Sequence, residues 1–461
     1  MKVCVLQPDY STADVDYKNY DPPRDLTSLL PGDTVHHIFL NKLHTYKQLK
    51  NLSNLQYDIF VNLCEGYLEW AVPSIDVPYF LDTLQLPYTG PEVRIYDPPK
   101  ELMKYVAYTA SVATPAYAIV NSINEIKQST RSLSFPMFLK PSKAGDSLGI
   151  DTNSLVRDYQ ELKSKAVTLL AEFDEIIIEN YIAGREFTIL VIANEGSNQC
   201  RAYKPIEYIF PGDMQFKTYD LKTKDLHPGA NVPCNDPELA EKLKSASTAI
   251  FKAFEGVGYA RLDFRVDSEG QLFFLEINFT CSVFYTNGYE GSADYILKND
   301  EHGQSGFLKN IIREGISRYE KKHKCYKVRG DAISGYGIYA TRPLREGTVI
   351  FEGECQSQRV VSLNYIRTHW SEAEQLNFRR YAYPVNKDVF LLWDNDPGRW
   401  APQNHHCDPN TKYDGLNVVA SKDIEKDVEL TLDYATFLDN NMEPFQCNCG
   451  SANCRGVIQI Q

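Results

Sequence analysis

The sequence reads as an α/β unit, then an α+β unit, then a mainly-β unit closed by a metal staple. Three observations carry that reading. Short apolar runs separated by turn signals recur near the N-terminus, as in Val3–Leu6 and Asp58-Ile59-Phe60-Val61-Asn62-Leu63. Strand and helix patterns then mix for some two hundred residues. After about residue 325 helical patterns thin, turns crowd together and cysteines cluster. A length of 461 residues at roughly 150 residues per domain also calls for about three units.

Residues 1–95 are expected to form the first unit, 96–322 the second, 325–440 the third and 441–461 a metal-binding tail. Within the second, Glu101–Ala110 reads as helix, and Phe135–Pro141 as a strand leading into the loop Ser142–Gly149. Glu175–Glu179 and Glu186–Ile192 read as strands. Pro237–Glu255 reads as a helix with proline at its start. Arg261–Val266 and Gln271–Ile277 pair as a hairpin across Asp267-Ser268-Glu269-Gly270. Ser317–Lys324 is charged and polar and is expected to be a linker.

Composition excludes several classes. A net charge of −13 argues against a phosphate-tracking surface, so no direct nucleic-acid partner is expected. No apolar run approaches the ~18 residues of a membrane span. The start, Met1–Leu6, reads as a first strand rather than a leader. Of eleven cysteines, seven (Cys4, Cys64, Cys200, Cys234, Cys281, Cys325, Cys355) are scattered. That fits a reducing compartment, cytoplasmic or nuclear.

The remaining cysteines carry chemistry. Cys447-Asn448-Cys449-Gly450-Ser451-Ala452-Asn453-Cys454 sets three thiols at C-x-C-x4-C spacing. Structural zinc takes four tetrahedral ligands. Cys407, in Asn404-His405-His406-Cys407-Asp408-Pro409-Asn410, is the candidate for the fourth. These segments, with Glu429-Leu430-Thr431-Leu432-Asp433-Tyr434 and Gly335-Tyr336-Gly337, resemble the SET-domain lysine methyltransferases with a post-SET zinc segment. The resemblance implies a mainly-β SET domain that binds S-adenosylmethionine. Gly335, Tyr336, Gly337, Asn404 and His405 would lie at the cofactor. Tyr434 would align a lysine amine of a protein or peptide for in-line methyl transfer. Three departures stand out. The segment Arg399-Trp400-Ala401-Pro402-Gln403 lacks the Arg-aromatic pair usual before the Asn-His of the family. Phe351 occupies a position where the family often has tyrosine, and Leu432 one where an aromatic tunes methylation multiplicity.

The first 320 residues resemble the ATP-grasp ligases, most closely D-alanine–D-alanine ligase. The resemblance rests on Lys100 before a helix, Lys140-Pro141-Ser142, Glu179-x6-Glu186, Lys217 eleven before Pro228, Arg261-x-Asp263 and Glu276-x-Asn278. It implies a pre-ATP-grasp α/β domain plus an ATP-grasp domain. Lys100 and Lys140 would take ATP phosphates, with Lys217 near the γ-phosphate. Glu179 would face adenine and Glu186 the ribose. Asp263, Glu276 and Asn278 are hard oxygen ligands suited to magnesium, and Arg261 would stabilise an oxyanion. The amino-acid-recognition positions differ, with Gln7-Pro8-Asp9-Tyr10-Ser11, Leu63-Cys64-Glu65-Gly66, Asp146, Thr218 and Thr280-Cys281-Ser282 in place of the family's residues. Glu65 and Asp146 are candidates for an ammonium group or are surface charge.

The expected function is bifunctional: a carboxylate–amine ligase for substrates other than D-alanine, fused to a lysine methyltransferase. The alternative is a methyltransferase whose ATP-grasp part only binds nucleotide or substrate. Resembling ligases are often dimers, so a homodimer is the expectation by analogy.

Overall fold

The computed structural model describes residues 1–459 except 69, 144–147, 195–198, 211, 213–214, 217, 219–227, 332–334, 394–402 and 438–443. It divides into two compact units, Met1–Glu320 and Lys321–Gln461. Among the described residues no helix is long and apolar enough to cross a membrane.

The first unit begins with a parallel sheet of β1 (Lys2–Pro8), β2 (Thr34–Leu40) and β3 (Ile59–Asn62), ordered β2-β1-β3. Both faces of β1 and β3 are buried, which is why their sequences are continuous rather than alternating apolar runs. One face packs on Leu49 and Leu52 of the helix Thr45–Ser53 and on Val77 and Leu81 of the helix Asp76–Thr83. The other packs on Leu308, Ile311 and Ile312 of the helix Gly303–His323.

That long helix overturns the expected linker at Ser317–Lys324, because it runs on to His323. Gly315 lets it press against the chain at Tyr88, whose carbonyl would lie 2.6 Å from an added Cβ. Arg318 then donates to the Tyr88 carbonyl at 2.8 Å and pairs with Glu314 one turn back. Packing thus continues the helix into polar sequence.

Two antiparallel sheets follow. β4 (Tyr117–Val120), β5 (Met137–Pro141), β6 (Leu155–Val156) and β7 (Ile176–Asn180) are ordered β4-β7-β5-β6. The helix Tyr159–Leu170 covers this sheet with Leu162, Ala166 and Leu169, one stripe at helical spacing. Asp158 caps it by accepting from the Gln160 and Glu161 amides.

The larger sheet holds β8 (Arg185–Ala193), β9 (Cys200–Ala202), β10 (Ile206–Tyr208), β11 (Asn231–Pro233), β12 (Tyr259–Val266) and β13 (Leu272–Asn278). Its order is β11-β10-β8-β12-β13, with β9 also on β8. The expected hairpin is β12–β13. Asp267 Oδ1 accepts from the Glu269 and Gln271 amides, and Gly270 takes φ +80° to close the turn. The helix Pro237–Ala253, capped by Asp236, covers the apolar face. The expected helix at Glu101–Ala110 is present as Lys100–Thr109.

The second unit is built of small sheets. Its strands are β14 (Tyr326–Asp331), β15 (Gly335–Ala340), β16 (Val349–Phe351), β17 (Gln358–Ser362), β18 (Tyr383–Asn386), β19 (Val389–Trp393), β20 (Asn404–His405), β21 (Thr411–Asp414), β22 (Asn417–Ala420), β23 (Thr431–Leu432), β24 (Phe445–Gln446) and β25 (Val457–Ile458). β14 pairs β15, β16-β22-β21 and β17-β19-β18 form three-stranded sheets, β20 pairs β23 in parallel, and β24 pairs β25. Two helices, Leu363–His369 and Glu372–Tyr381, interrupt the strands. The second has a sequence signal in Ser371-Glu372-Ala373-Glu374, a reciprocal capping box.

Gly184 sits just before β8 at φ +144°, and a Cβ there would lie 2.1 Å from the Val266 carbonyl oxygen. Gly184→Ala should therefore strain the backbone and push β8 from the β12–β13 turn. The expected loss is about 2 kcal/mol or more, read as a lower urea midpoint. An unchanged midpoint would show that the strands have room to separate.

Candidate functional site

In the first unit, strand alternation builds one face of charge. Arg261, Asp263 and Arg265 project from β12 on the side opposite Leu262, Phe264 and Val266, which enter the core. The register sets Arg261 against Asn278 and Asp263 against Glu276 on β13, and Arg265 against Glu186 on β8. A cleft opens over this face. Its walls include Phe138, Lys140, Glu179, Glu186, Phe216 and Glu276.

One carboxylate organises the cleft's lysines. Glu179 on β7 receives Lys140 Nζ at 2.8 Å on Oε1 and Lys104 Nζ at 2.8 Å on Oε2. Lys104 lies one turn from Lys100 on the same helix face. Burial opposes ionisation of Glu179, but the two lysines win and hold it down to about 2. Burial dominates at Lys104 and lowers its value despite the same ion pair, whereas Lys140 is raised by Glu179 against its burial. Lys140 also feels Glu276 and Glu186, whereas Lys140 itself opposes charge on Lys104, and Glu179 between them is ionised. Burial also lowers Lys100, which stands 3.9 Å from Glu276.

Arg261 forks onto Asp263 at 3.0 and 3.2 Å. Asn278 Nδ2 donates to Glu276 Oε1 at 3.4 Å. Asp263, Glu276 and the Asn278 carbonyl oxygen form a hard oxygen donor set on adjacent strands, and magnesium suits it. Here the cations Arg261 and Lys100 stand beside those carboxylates. Glu65 accepts from Ser282 Oγ at 2.6 Å and lies 3.6 Å from Arg24. It is therefore partly buried and tied to the segment after Asn278, so surface charge does not describe it. Lys217 and Asp146 lie outside the described residues, as do 399–402. Lys104 and Arg265 were not singled out from sequence. Their positions at i+4 from Lys100 and i+4 from Arg261 are the only signals there.

In the second unit, Asn404 Nδ2 donates to the Tyr336 carbonyl at 2.9 Å and to Glu429 Oε1 at 2.7 Å. The Gly337 requirement has a cause within the protein, because a Cβ there would meet Glu429 Oε1 at 2.2 Å. Gly335 takes φ +86° with open space around it, so its need is backbone conformation. His405 is a strut. Its Nδ1 accepts from the Tyr434 amide at 3.1 Å, and its Nε2 lies 3.3 Å from Cys407 Sγ. Tyr434 Oη donates to the Gln403 carbonyl. Phe437 and Phe445 stand against that ring, Tyr413 packs on Phe437, and Tyr383 lies against Tyr413 at 5.0 Å. Leu432 is buried and pairs with His405.

Cys407, Cys447, Cys449 and Cys454 offer sulfurs all within 4.8 Å of one another. Cys407 and Cys447 are 3.7 Å apart, close to the spacing that tetrahedral zinc with bonds of about 2.3 Å demands. The donor set fits zinc. Arg455, next to Cys454, bonds Asp433 at the head of the Tyr434 turn.

Comparison with known proteins finds a family match in each unit. Residues 108–285 match the family model "D-ala D-ala ligase C-terminus", and 335–435 match "SET domain". Similar curated proteins are D-alanine–D-alanine ligases. That of Aquifex aeolicus is 29% identical over 201 residues, 43% of this chain and 64% of that protein. That of Halothermothrix orenii is 32% identical over 230 residues, 46% of this chain and 64% of that protein. The chain spans about three-fifths of the length of the first curated relatives it matches. Among solved structures, D-alanine–D-alanine ligase of Bacillus anthracis aligns with a TM-score of 0.52 and 21% identity, covering 70% of this chain and 99% of that one. The same enzyme complexed with ATP gives a TM-score of 0.50 at 20% identity. Such identities show the fold alone.

The fold of the first unit is therefore that of the ATP-grasp ligases. The chain joins this ligase-like ATP-grasp region to a C-terminal SET domain with a cysteine-rich tail.

Lys104→Met should leave Glu179 with a single partner and cost about 2 kcal/mol, within the range for an unsatisfied buried group. Glu179 sits below its usual value, so its stabilising contribution is complete above the ordinary carboxylate range. It is lost as pH falls toward about 2. In the variant Glu179 is held down less, so that loss should be smaller and should be complete at higher pH. Coincident acid-unfolding curves for variant and wild type would show that Lys140 alone suffices.

Proposed function

We propose that the protein is bifunctional: an ATP-dependent carboxylate–amine ligase, acting on substrates other than D-alanine, joined to an S-adenosylmethionine-dependent lysine methyltransferase. The observation that carries the ligase half is the convergence of Lys140, Arg261, Asp263 and Glu276 on one cleft, with Lys100 and Asn278 beside Glu276. The similar Bacillus anthracis enzyme was solved with ATP.

In the proposed reaction the substrate carboxylate attacks the γ-phosphorus of ATP. ADP leaves, and an acyl phosphate forms. The amine, having lost a proton, attacks the acyl carbon, and phosphate departs to leave an amide. Asp263, Glu276 and Asn278 would hold Mg2+, which supplies charge neutralisation at the phosphates. Lys100 and Lys140 would bind phosphate oxygens, Lys217 the γ-phosphate, Glu179 the adenine side and Glu186 the ribose. Arg261 would stabilise the oxyanion as the amine adds. The altered Cys64, Glu65, Cys281 and Ser282 favour a carboxylate and amine unlike D-alanine. Cys64 and Cys281 are both buried. Replacement of so much of the amino-acid site also supports a second reading, in which the region binds nucleotide without ligating.

In the SET domain Asn404, His405 and the Gly335-Tyr336-Gly337 segment would border S-adenosylmethionine. Tyr434 would orient the lysine amine of a protein or peptide. The aromatic ring of Tyr383, Tyr413, Phe437 and Phe445 supports a narrow apolar channel for a lysine stem. The four cysteines would hold zinc and tie the tail to the Tyr434 turn through Arg455.

Incubation with Mg-ATP and panels of amino acids, peptides and metabolite extract should release ADP only when an acceptor is present. Lys140→Ala should reduce that release by about two orders of magnitude, as expected for loss of an electrostatic phosphate contact. ADP release indifferent to acceptor, or absent while ATP still binds, would favour the non-ligating reading. For the SET domain, Tyr434→Phe should lower methyl transfer to peptide lysine by about tenfold or more, with S-adenosylmethionine affinity unchanged. Equal turnover would remove Tyr434 from the mechanism.

A further inference from the structure

The residue least accounted for by the ligase reading is Arg265. It is 3% exposed and lines the cleft itself. Its guanidinium joins three separate segments. Nη2 donates to Glu186 Oε2 at 2.9 Å and to the Gln215 carbonyl. Nη1 donates to Tyr181 Oη at 2.7 Å and to the Ile182 carbonyl at 2.9 Å. Tyr181 Oη in turn donates to the same Gln215 carbonyl at 2.8 Å. The plane lies 4.8 Å from the Tyr181 ring centroid and 5.7 Å from that of Phe210. An arginine can make this set of contacts because its fork carries five donors in fixed geometry, which no lysine reproduces.

We propose that Arg265 is a positioning and specificity residue of the nucleotide site, which orders ribose recognition and ties the Gln215 carbonyl to it with one guanidinium. The inference rests on the nucleotide-site reading above. The cross-strand pairing of Arg265 with Glu186 fixes the carboxylate at the cleft wall. A carboxylate offers about four acceptor directions, so Glu186 holds Arg265 and accepts ribose hydroxyls at once. The Gln215 carbonyl, two residues before Lys217 in sequence, is drawn to the same guanidinium. A nucleotide with both ribose hydroxyls thus meets a prearranged acceptor. One lacking a hydroxyl leaves a buried, charge-assisted acceptor underused. The ligand class this favours is a ribonucleoside triphosphate over its deoxy counterpart.

The test is isothermal titration of the full chain with Mg-ATP and Mg-2′-deoxy-ATP, for wild type, Arg265→Met and Arg265→Lys. Wild type should prefer ATP. Arg265→Met fills similar space without donors. It should weaken ATP binding by about tenfold and erase most of the preference, because the lost bonds are charge-assisted. Arg265→Lys keeps one charge on Glu186 but not the fork. It should recover part of the ribose preference and less of the overall affinity. A purely structural role would lower both affinities equally and leave the ratio unmoved, which would overturn the proposal. So would an Arg265→Met protein with wild-type affinity and ratio. Should Arg265→Met melt without nucleotide, Arg265→Lys decides by the same ratio. A wild-type protein that binds neither nucleotide would sink the nucleotide-site reading itself, a result distinct from either variant outcome.

Discussion

Everything in the first unit's cleft depends on the pairing of β8, β12 and β13. Side chains along a strand alternate between faces, so one register decides what meets what. Leu262, Phe264 and Val266 enter the core with Phe187, Ile189 and Phe274, and that burial locks the register. A slip of β12 by one residue would place Arg261, Asp263 and Arg265 in the core and Leu262, Phe264 and Val266 in the cleft. The apolar face thus stabilises an arrangement of Arg261, Asp263, Arg265, Glu276 and Asn278 that, in isolation, nothing else would hold.

The cleft's charges are matched within the protein. Lys104 and Lys140 share Glu179, Arg261 forks onto Asp263, Arg265 takes Glu186, and Lys100 stands near Glu276. Isolated buried charges would be costly, so such matching is what lets these groups be preassembled. In the proposed reaction a divalent cation and a polyphosphate bring opposite charges of their own. The carboxylates and cations can then exchange internal partners for ligand ones without an uncompensated charge. Lys104, deep beside Glu179, has the geometry of the partner that stays.

The SET domain solves its positioning problem with hydrogen-bonded struts rather than a large sheet. Its pairings are short, with β20 and β23 contributing two residues each. Asn404 and Asn410 therefore stitch the crossing by side chain. Asn410 donates to the Glu429 carbonyl at 2.7 Å and accepts from the Thr431 amide at 2.9 Å. His405 and Arg455 extend the same network to the cysteine cluster. Residues at the candidate cofactor site thus also do structural duty, and Gly337 owes its lack of a side chain to Glu429.

Much of this was legible in the sequence for a local reason. Short-range signals specify the hairpin at Asp267–Gly270, the helix starts at Asp158 and Asp236, and the thiol spacing of Cys447, Cys449 and Cys454. Residue type and order along the chain also single out Lys140, Asp263 and Glu276 as candidates for phosphate and metal and Glu179 as a candidate for adenine, and all four line one cleft. Sequence could not say that Lys104 shares Glu179 with Lys140, that Arg265 clasps Glu186 to Gln215, or that Ser317–His323 is helix. Those outcomes depend on which distant segment packs opposite. Charged side chains choose partners by burial and register, and only the assembled sheets and helices set both.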